Sequence, residues 1–250
     1  MSMISVCIAT YNGEKYLEEQ LKSILVQLGP NDEVIISDDG STDATLQIIE
    51  AFDDKRIKVF HHQKSKNIIF RFEYTTHNFE YALLHAKGDY IFLSDQDDIW
   101  LPNKVECSLK ALQNADLVIS DKTVVDGKLN VLMNSTFSNS RQSSKVWHNI
   151  KSPNNPGCCM AFKKCLCDHI LPMPKSGVAQ DTWIALLGGI YYNVSFINEP
   201  LILFRRHDNN VSTSMGKSRD SIIYRTKYRV YTLWALLKKC GIVTVLRNWY

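Results

Sequence analysis

The most informative part of this sequence is the stretch Tyr90-Ile91-Phe92-Leu93-Ser94-Asp95-Gln96-Asp97-Asp98. Its first four residues form an apolar run typical of a buried strand, and three carboxylates follow within four positions. Carboxylates so close together repel one another unless a cation lies between them. Since open α/β sheets bind ligands beyond the carboxyl ends of their strands, the stretch predicts a divalent cation that carries a phosphate with it. The alternative is an acidic turn that only ends the strand and caps a helix near Pro102.

Apolar runs and helix-like segments alternate on both sides of this strand. The helix predicted over 14–27 carries Leu17, Leu21, Ile24, Leu25 and Leu28 at steps of three and four residues, which indicates one buried face. Repeated alternation predicts an α/β fold with a mostly parallel central sheet flanked by helices. The other predicted strands are 4–9, 34–36, 57–60 and 117–119, and the other predicted helices lie near 42–52, 78–87 and 103–114.

The pattern loosens after about residue 121. Residues 134–156 are rich in Ser, Asn and Pro and predict a long loop of the kind that forms a lid or a substrate-binding excursion. Order is expected to return at 157–162, followed by a helix over about 181–187 and a strand over 194–197.

Composition describes an ordinary globular chain. The 250 residues are 45% hydrophobic and 22% charged, which is enough to bury a sizeable core. The net charge of +3 is unevenly distributed, because residues 217–250 carry +7 and residues 1–216 carry −4. The basic character therefore belongs to the C-terminal segment.

Cysteine usage and hydropathy bear on location. The seven cysteines are an odd number without the spacing of a zinc knuckle, so reduced thiols in a cytoplasmic protein are expected. The amino terminus lacks the pattern of a signal peptide, and no run of about eighteen apolar residues is present.

Two strand-to-helix turns precede the acidic stretch. Thr10-Tyr11-Asn12-Gly13-Glu14 follows the first strand, and Ser37-Asp38-Asp39-Gly40-Ser41-Thr42-Asp43 follows the second. Their Asn-Gly and Asp-Gly pairs expose backbone N–H groups, and an acid there can accept from a nucleobase or a ribose. Neither turn has the glycine spacing of a dinucleotide or P-loop site. Taken singly, each is equally explained by turn and cap chemistry.

In this order, the two turns and the stretch 86–98 closely resemble the inverting family-2 glycosyltransferases. The resemblance implies a GT-A nucleotide-sugar-binding fold and a Mg²⁺ or Mn²⁺ cofactor. Asp97 is then the metal ligand, Asp95 lies towards the ribose or sugar, and Asp98 supports the loop. The nucleotide-binding residues that it implies are Thr10, Tyr11, Asn12, Glu14, Asp38, Asp39 and Asp95. The segment 66–72 departs from the family pattern, because it is longer and lacks a glycine. Near it, Lys64, Lys66 and Arg71 are candidates for sugar or diphosphate contacts. The alternative is that they are solvated loop charges.

The second half is expected to bind the acceptor. Gln180-Asp181-Thr182-Trp183 resembles the catalytic acid position of the family, so Asp181 is the expected general base, which removes a proton from an acceptor hydroxyl. The alternative for Asp181 is a helix cap. The segment that begins Gly157-Cys158 resembles the small-residue stretch after the acceptor loop. Gly157, Cys158 and Trp183 are therefore candidate acceptor or sugar contacts.

A third element, Phe204-Arg205-Arg206-His207 with the following Asp208-Asn209-Asn210-Val211-Ser212, resembles the end of rhamnosyltransferase-like members. The resemblance implies that His207 binds the metal or the diphosphate and that Arg205 or Arg206 balances the diphosphate charge. The alternative for His207 is a surface histidine in a polar turn.

The predicted organisation is a nucleotide-sugar-binding half over 1–100, an acceptor-binding half of the same domain over 101–215, and a basic amphipathic helical segment over 216–250. Basic and aromatic residues alternate in that segment, so it either contacts an anionic membrane surface or packs on the domain. A nucleic-acid partner is not expected, because the basic residues are confined to this stretch.

The predicted function is inverting, metal-dependent transfer of a sugar to a glycan or lipid-linked glycan of the cell surface, with dTDP-L-rhamnose as the favoured donor. The alternatives are a UDP-hexose or UDP-N-acetylhexosamine donor, or a non-catalytic nucleotide-sugar-binding scaffold. An aspartate-nucleophile phosphatase is disfavoured, because Asp97-Asp98-Ile99-Trp100 lacks the residues expected after its acidic pair.

Overall fold

One mixed sheet runs through most of the chain. A computed structural model describes residues 2–64, 68–207 and 221–249. Within these ranges the strands are β1 (Ile4–Thr10), β2 (Glu33–Asp38), β3 (Ile57–His61), β4 (Tyr90–Ser94), β5 (Ile99–Trp100), β6 (Leu117–Asp126), β7 (Val131–Met133), β8 (Met160–Lys163) and β9 (Val194–Arg206).

The sheet has a parallel half and a mixed half. Its order is β3-β2-β1-β4-β8-β6-β9-β5, with β7 paired to β6. The first four strands are parallel, as predicted. The second half is mixed, because β8 is antiparallel to both β4 and β6, while β9 is parallel to β6. The chain re-enters the sheet at the end where β6 left it, so β8 runs in the opposite direction.

Helices cover both faces of the sheet. Along β1, Val6 and Ile8 belong to one core cluster with Leu17 and Leu21, whereas Cys7 belongs to the cluster on the opposite face. This confirms the predicted buried helix face and the two-sided cover of the parallel strands. The helices are α1 (Leu17–Leu25), α2 (Thr45–Ala51), α3 (Glu73–His85), α4 (Lys104–Leu112), α5 (Val146–Lys151), α6 (Cys167–Ile170), α7 (Gln180–Tyr191), α8 (Ile222–Cys240) and α9 (Ile242–Arg247).

Among the differences from the sequence expectation, two bear on the site. The predicted loop over 134–156 contains α5, in which Val146, Asn149 and Ile150 are buried at helical spacing between polar flanks. The strand predicted over 194–197 continues to Arg206, because β9 passes a register irregularity near Pro200 and then pairs again with β6. The extended β9 brings His207, a predicted metal ligand, next to residues 95–98, which are called the acidic loop below.

The C-terminal helices lie on the domain. Thr232, Ala235 and Leu236 of α8 and Val245 of α9 are buried. Among the described helices, none is long and apolar enough to cross a membrane.

Candidate active site

The predicted nucleotide-binding residues lie at the carboxyl ends of β1 and β2. Thr10 and Asp38 are register partners there, and the Thr10 hydroxyl donates to Asp38 Oδ1 at 3.1 Å. Asp38 Oδ2 accepts the backbone N–H groups of Gly40 and Ser41 at 3.0 and 2.9 Å. Asp38 is fully buried, and these hydrogen bonds show that its carboxylate stabilises the turn after β2.

The side chains of Asn12 and Glu14 join the two turns. Asn12 Oδ1 accepts the N–H of Thr42, and Glu14 Oε2 accepts the N–H of Ala44, both at 2.9 Å. Asn12 has a φ of 49°, in the left-handed region that asparagine tolerates better than most residues. The two turns therefore form one unit, in which these exposed side chains fix the backbone.

An aromatic ring and a carboxylate remain at the edge of this unit. Tyr11 is 47% exposed, and the Lys64 ammonium lies over its ring. Asp39 is nearly buried and contacts Nδ1 of His62, while burial raises the pKa of Asp39. An exposed ring can stack on a nucleobase, and a carboxylate can accept from its N–H or from a ribose hydroxyl.

Gln96 fastens the acidic loop to the first turn. Its Oε1 accepts the backbone N–H of Tyr11 at 2.9 Å, and its Nε2 donates to the Tyr11 carbonyl at 3.1 Å. This amide pair brings the end of β4 to the end of β1, so the acidic residues lie beside the predicted nucleotide site.

The side chains of Asp95 and Asp98 in the acidic loop lie close to that of Cys158. One ligand atom from each lies within 4.8 Å of the others. Asp98 is fully buried; its Oδ1 accepts the Arg205 backbone N–H at 3.0 Å, and its Oδ2 has no partner among the described residues. Hydrogen bonding with Cys159 and burial raise the pKa of the Cys158 thiol, which keeps it protonated. The carboxylate oxygens fit Mg²⁺ or Mn²⁺, whereas the thiol does not.

The two predicted metal ligands, Asp97 and His207, are in contact. His207 Nε2 lies 2.8 Å from Asp97 Oδ2, and the imidazole stacks on Tyr16 with 5.0 Å between ring centroids. The long strand β9 thus places His207 against a loop 110 residues earlier in the chain. An imidazole and a carboxylate together can ligate a cation or share a proton.

The Arg205 side chain joins the acidic loop to helix α1 by hydrogen bonds. Its Nε donates to the Asp97 carbonyl at 3.0 Å, and Nη2 donates to Glu19 Oε2 at 2.6 Å. Its guanidinium also lies 4.4 Å from the ring centroid of Tyr16, and the side chain is 3% exposed. This geometry favours a positioning role for Arg205 over the predicted diphosphate contact. Contact of Arg206 with the diphosphate stays a prediction.

Asp181 lies in the first turn of α7. Its Oδ1 accepts the Thr182 N–H at 2.6 Å and the Thr182 hydroxyl at 3.3 Å. Ala179, not Asp181, occupies the N-cap position, but Oδ1 of Asp181 still satisfies one N–H of the first helical turn. Gly157 lies opposite, where an added Cβ would stand 3.7 Å from the Asp181 Cβ. Burial raises the pKa of Asp181, and a raised pKa would suit the predicted general base.

The site carries an excess of negative charge. Burial, together with the charges of Asp97 and Asp181, raises the pKa of Asp95 to about 7. The ammonium of Lys122, a residue that is 5% exposed, opposes this shift, and it lies 3.5 Å from the ring centroid of Phe204. Such a cluster of carboxylates is suited to a bound cation.

Trp183 belongs to the core. It is 1% exposed, and its indole N–H donates to the Ile170 carbonyl at 2.9 Å. The predicted sugar contact of Trp183 is therefore not supported by the geometry. Its apolar ring was a better sign of burial than of ligand binding.

Several site residues were not found from the sequence. Gln96 stands inside the acidic stretch, but its pairing with Tyr11 was not predicted. His62 and Lys122 contact Asp39 and Phe204, and no local pattern marks either residue. Lys66 and the segment 208–212, which includes Asn209 and Ser212 of the third motif, lie outside the described residues.

Comparison with known proteins identifies the family. The model of Glycosyl transferase family 2 matches residues 5–171. The chain is 32% identical to the dTDP-rhamnosyl transferase RfbG of Shigella flexneri over 97% of its own length and 80% of that protein. It also resembles the structure of S. aureus TarS 1-349 in complex with UDP-GlcNAc (TM-score 0.64, 17% identity, 94% of this chain and 73% of that one).

A second solved structure is the mannosyltransferase PcManGT from Pyrobaculum calidifontis in complex with GDP-Man and Mn²⁺ (TM-score 0.60, 18% identity). The match covers 98% of this chain and 72% of that one. These two structures support the α/β fold with its mixed sheet, and the family model and RfbG identify the chemistry. The chain belongs to glycosyltransferase family 2, and it is a sugar-transferring enzyme with a GT-A-like fold.

Proposed function

We propose that the protein transfers a sugar, with inversion, from a nucleotide-sugar donor to a hydroxyl group of a glycan or lipid-linked glycan in surface-polysaccharide synthesis. The observation that carries the proposal is the placement of Asp181, a half-buried carboxylate of raised pKa, close enough to Asp95 for their charges to interact. In this proposal, residues 1–100 bind the donor and residues 101–215 bind the acceptor.

The residues of the acidic loop have distinct proposed tasks. Asp97, with His207 beside it, holds Mg²⁺ or Mn²⁺, and Asp95 lies towards the ribose or sugar. The bound cation would neutralise the charge that develops on the departing nucleoside diphosphate. Asp181 takes the proton of the acceptor hydroxyl as that oxygen attacks the anomeric carbon.

The test is a pair of isosteric substitutions. Asp97→Asn and Asp181→Asn are each expected to lower turnover by at least about a thousandfold while leaving the unfolding temperature near that of the wild type. Removal of divalent cations by EDTA should abolish turnover, and Mn²⁺ or Mg²⁺ should restore it. Full activity of either purified variant would remove that residue from the mechanism.

The proposed donor is dTDP-L-rhamnose. The likeness to RfbG over most of both chains supports it, whereas the complex of TarS with UDP-GlcNAc supports a UDP-sugar as the second candidate. A panel of dTDP-, UDP- and GDP-sugars, with and without Mn²⁺, separates the two candidates through the nucleoside diphosphate released. Faster release from a UDP-sugar than from dTDP-L-rhamnose would reject the proposed donor.

We also propose that residues 217–250 contact an anionic lipid surface at the cytoplasmic face of a membrane. In the described part of this segment, Ile222, Val230 and Trp234 form a stripe at helical spacing along α8 and are 60–75% exposed. Arg225, Arg229 and Lys238 flank the stripe. Apolar and aromatic side chains bordered by cations are suited to the interface of an anionic bilayer.

Sedimentation with vesicles tests the membrane proposal. Binding to vesicles of phosphatidylcholine with phosphatidylglycerol is expected to exceed binding to phosphatidylcholine alone, and Trp234→Ser should weaken it. Equal binding to both vesicle types, or none to either, would reject the anionic surface as the partner.

A further inference from the structure

Helix α8 reaches the proposed base through a side chain that neither sequence motif nor family resemblance singles out. The Tyr228 hydroxyl donates to Thr182 Oγ1 at 2.9 Å. The Thr182 hydroxyl in turn donates to Asp181 Oδ1 at 3.3 Å, and the Thr182 backbone N–H donates to the same oxygen at 2.6 Å. Two hydroxyl groups thus form a directed chain of hydrogen bonds that begins on α8 and ends on the carboxylate.

The packing of α8 fixes the position of Tyr228. The Tyr228 ring makes edge contacts with Phe70 and Phe72, at centroid distances of 6.2 and 5.4 Å. One turn further along the helix, the Thr232 hydroxyl donates to the Tyr228 carbonyl at 2.9 Å, and Thr232 is fully buried. Because ring and backbone are both held, the hydroxyl has little freedom to leave Thr182.

The bonding pattern leaves one oxygen of the base available. Both donors from Thr182 address Oδ1 of Asp181, and no described residue donates to Oδ2. Burial and the charge of Asp181 raise the pKa of Tyr228, so the phenol stays a donor at neutral pH. The other charged groups that act on the Asp181 carboxylate are Asp95 at the end of β4 and Lys122 on β6.

We propose that Tyr228 and Thr182 are positioning residues that fix the Asp181 carboxylate with Oδ2 directed towards the acceptor hydroxyl. The inference rests on the proposed role of Asp181 as general base. A base that is held in one rotamer reaches the attacking oxygen more often, and partners behind a reacting group commonly contribute a factor of roughly ten or more to turnover. The basic C-terminal helix is then part of the acceptor site.

Three substitutions test the chain of hydrogen bonds. Tyr228→Phe and Thr182→Val each remove one hydroxyl and are expected to lower kcat about tenfold while the donor KM changes less than about twofold. Thr182→Ser keeps the hydroxyl and should retain most of the wild-type kcat. Tyr231→Phe is the matched control on the same helix, because Tyr231 also contacts Phe70 but makes no bond to Thr182.

The assay measures the release of nucleoside diphosphate with water as the acceptor. The donor is dTDP-L-rhamnose or the best substrate of the donor panel. Thermal unfolding is recorded for every variant. Wild-type kcat in Tyr228→Phe, together with an inactive Asp181→Asn, would overturn the positioning role and leave the base in place. Full activity of Asp181→Asn would overturn the base itself and the inference with it. An equal loss of kcat in Tyr231→Phe would assign the effect to helix packing and overturn the inference as well.

Discussion

At the residue scale, the three aspartates after β4 have three different surroundings. Asp95 is half-buried near Cys158, Asp97 contacts His207, and Asp98 is buried against the backbone of Arg205. The sequence predicted that the cluster was a cation site, because carboxylates at a strand end repel one another without a counter-charge. Of the partners, only His207 was expected, as a second metal ligand implied by the family resemblance; the contacts of Asp95 with Cys158 and of Asp98 with Arg205 join segments more than 60 residues apart and were not predicted.

Arg205 allows the loop geometry to be tested. Arg205→Lys keeps the positive charge but loses the planar fork that bonds the Asp97 carbonyl and Glu19. We expect the Mn²⁺ concentration for half-maximal activity to rise roughly tenfold, which corresponds to about 1.4 kcal/mol. Titration of activity with Mn²⁺ measures this shift. The exposed Arg141→Lys is the control, and an unchanged Mn²⁺ dependence in Arg205→Lys would contradict the positioning role.

Asp54 gives a prediction about pH. Arg56 Nε and Nη2 bond its carboxylate at 3.0 and 2.6 Å, and this lowers the pKa of Asp54 to about 2. The stabilisation is therefore complete above pH 4 and is lost as the pH falls towards 2. Asp54→Asn is expected to reduce the free energy of unfolding by about 1 kcal/mol at pH 7 and to have a smaller effect at pH 3.

Urea unfolding at both pH values measures the effect of Asp54→Asn, with the exposed Asp168→Asn as the control. A deficit in Asp54→Asn that is the same at pH 3 and pH 7 would show that the ion pair is not its source.

At the element scale, the start of β4 lies very close to the backbone of β1 at Gly88. A Cβ added to Gly88, just before β4, would stand 2.5 Å from the Ser5 backbone nitrogen and 2.8 Å from the Met3 carbonyl oxygen. These backbone atoms belong to β1 and the residues before it, and they cannot move without shifting the strand. A side chain at position 88 therefore acts on the pairing that carries the acidic loop.

Gly88→Ala is expected to lower the free energy of unfolding by at least about 2 kcal/mol. The matched control is Gly29→Ala, whose Cβ would meet Asp32 Oδ2 at an ordinary 3.4 Å. Thermal and urea unfolding of both variants measure the difference. Equal stability of the two variants would show that the chain before β1 yields to the added methyl group.

At the scale of the whole molecule, one sheet spans both predicted halves, and the C-terminal helices are added at its side. β1 and β4 are central and largely buried, whereas Val245 is the buried residue among the side chains of α9 that the structure describes. Local opening is easier where fewer apolar contacts must break. The central strands β1 and β4 should therefore open least readily, and α9 should open most readily.

Hydrogen exchange followed by mass spectrometry checks this order. Amides of β1 and β4 are expected to exchange slowest, and those of α9 fastest among the described helices. Protection of α9 equal to that of β1 would instead indicate that the C-terminal helices unfold only together with the sheet.

The parallel half of the fold follows from the amino-acid sequence alone, and the cation site at its strand ends stays a prediction. Strand and helix periodicities are local, so β1, α1 and β4 follow from neighbouring residues, and acidic residues at strand ends predict a bound cation. The expected base Asp181 was also marked by its local motif.

The contacts between distant segments depend on how the elements pack in three dimensions. The pairing of β9 with β6 carries Arg205 under the acidic loop and His207 onto Asp97, and the packing of α8 carries Tyr228 to Thr182. Such contacts join segments distant along the chain, and their geometry is set by how whole elements pack rather than by local pattern. For that reason the mixed half of the sheet and the partners of Asp181 emerge only in the folded molecule.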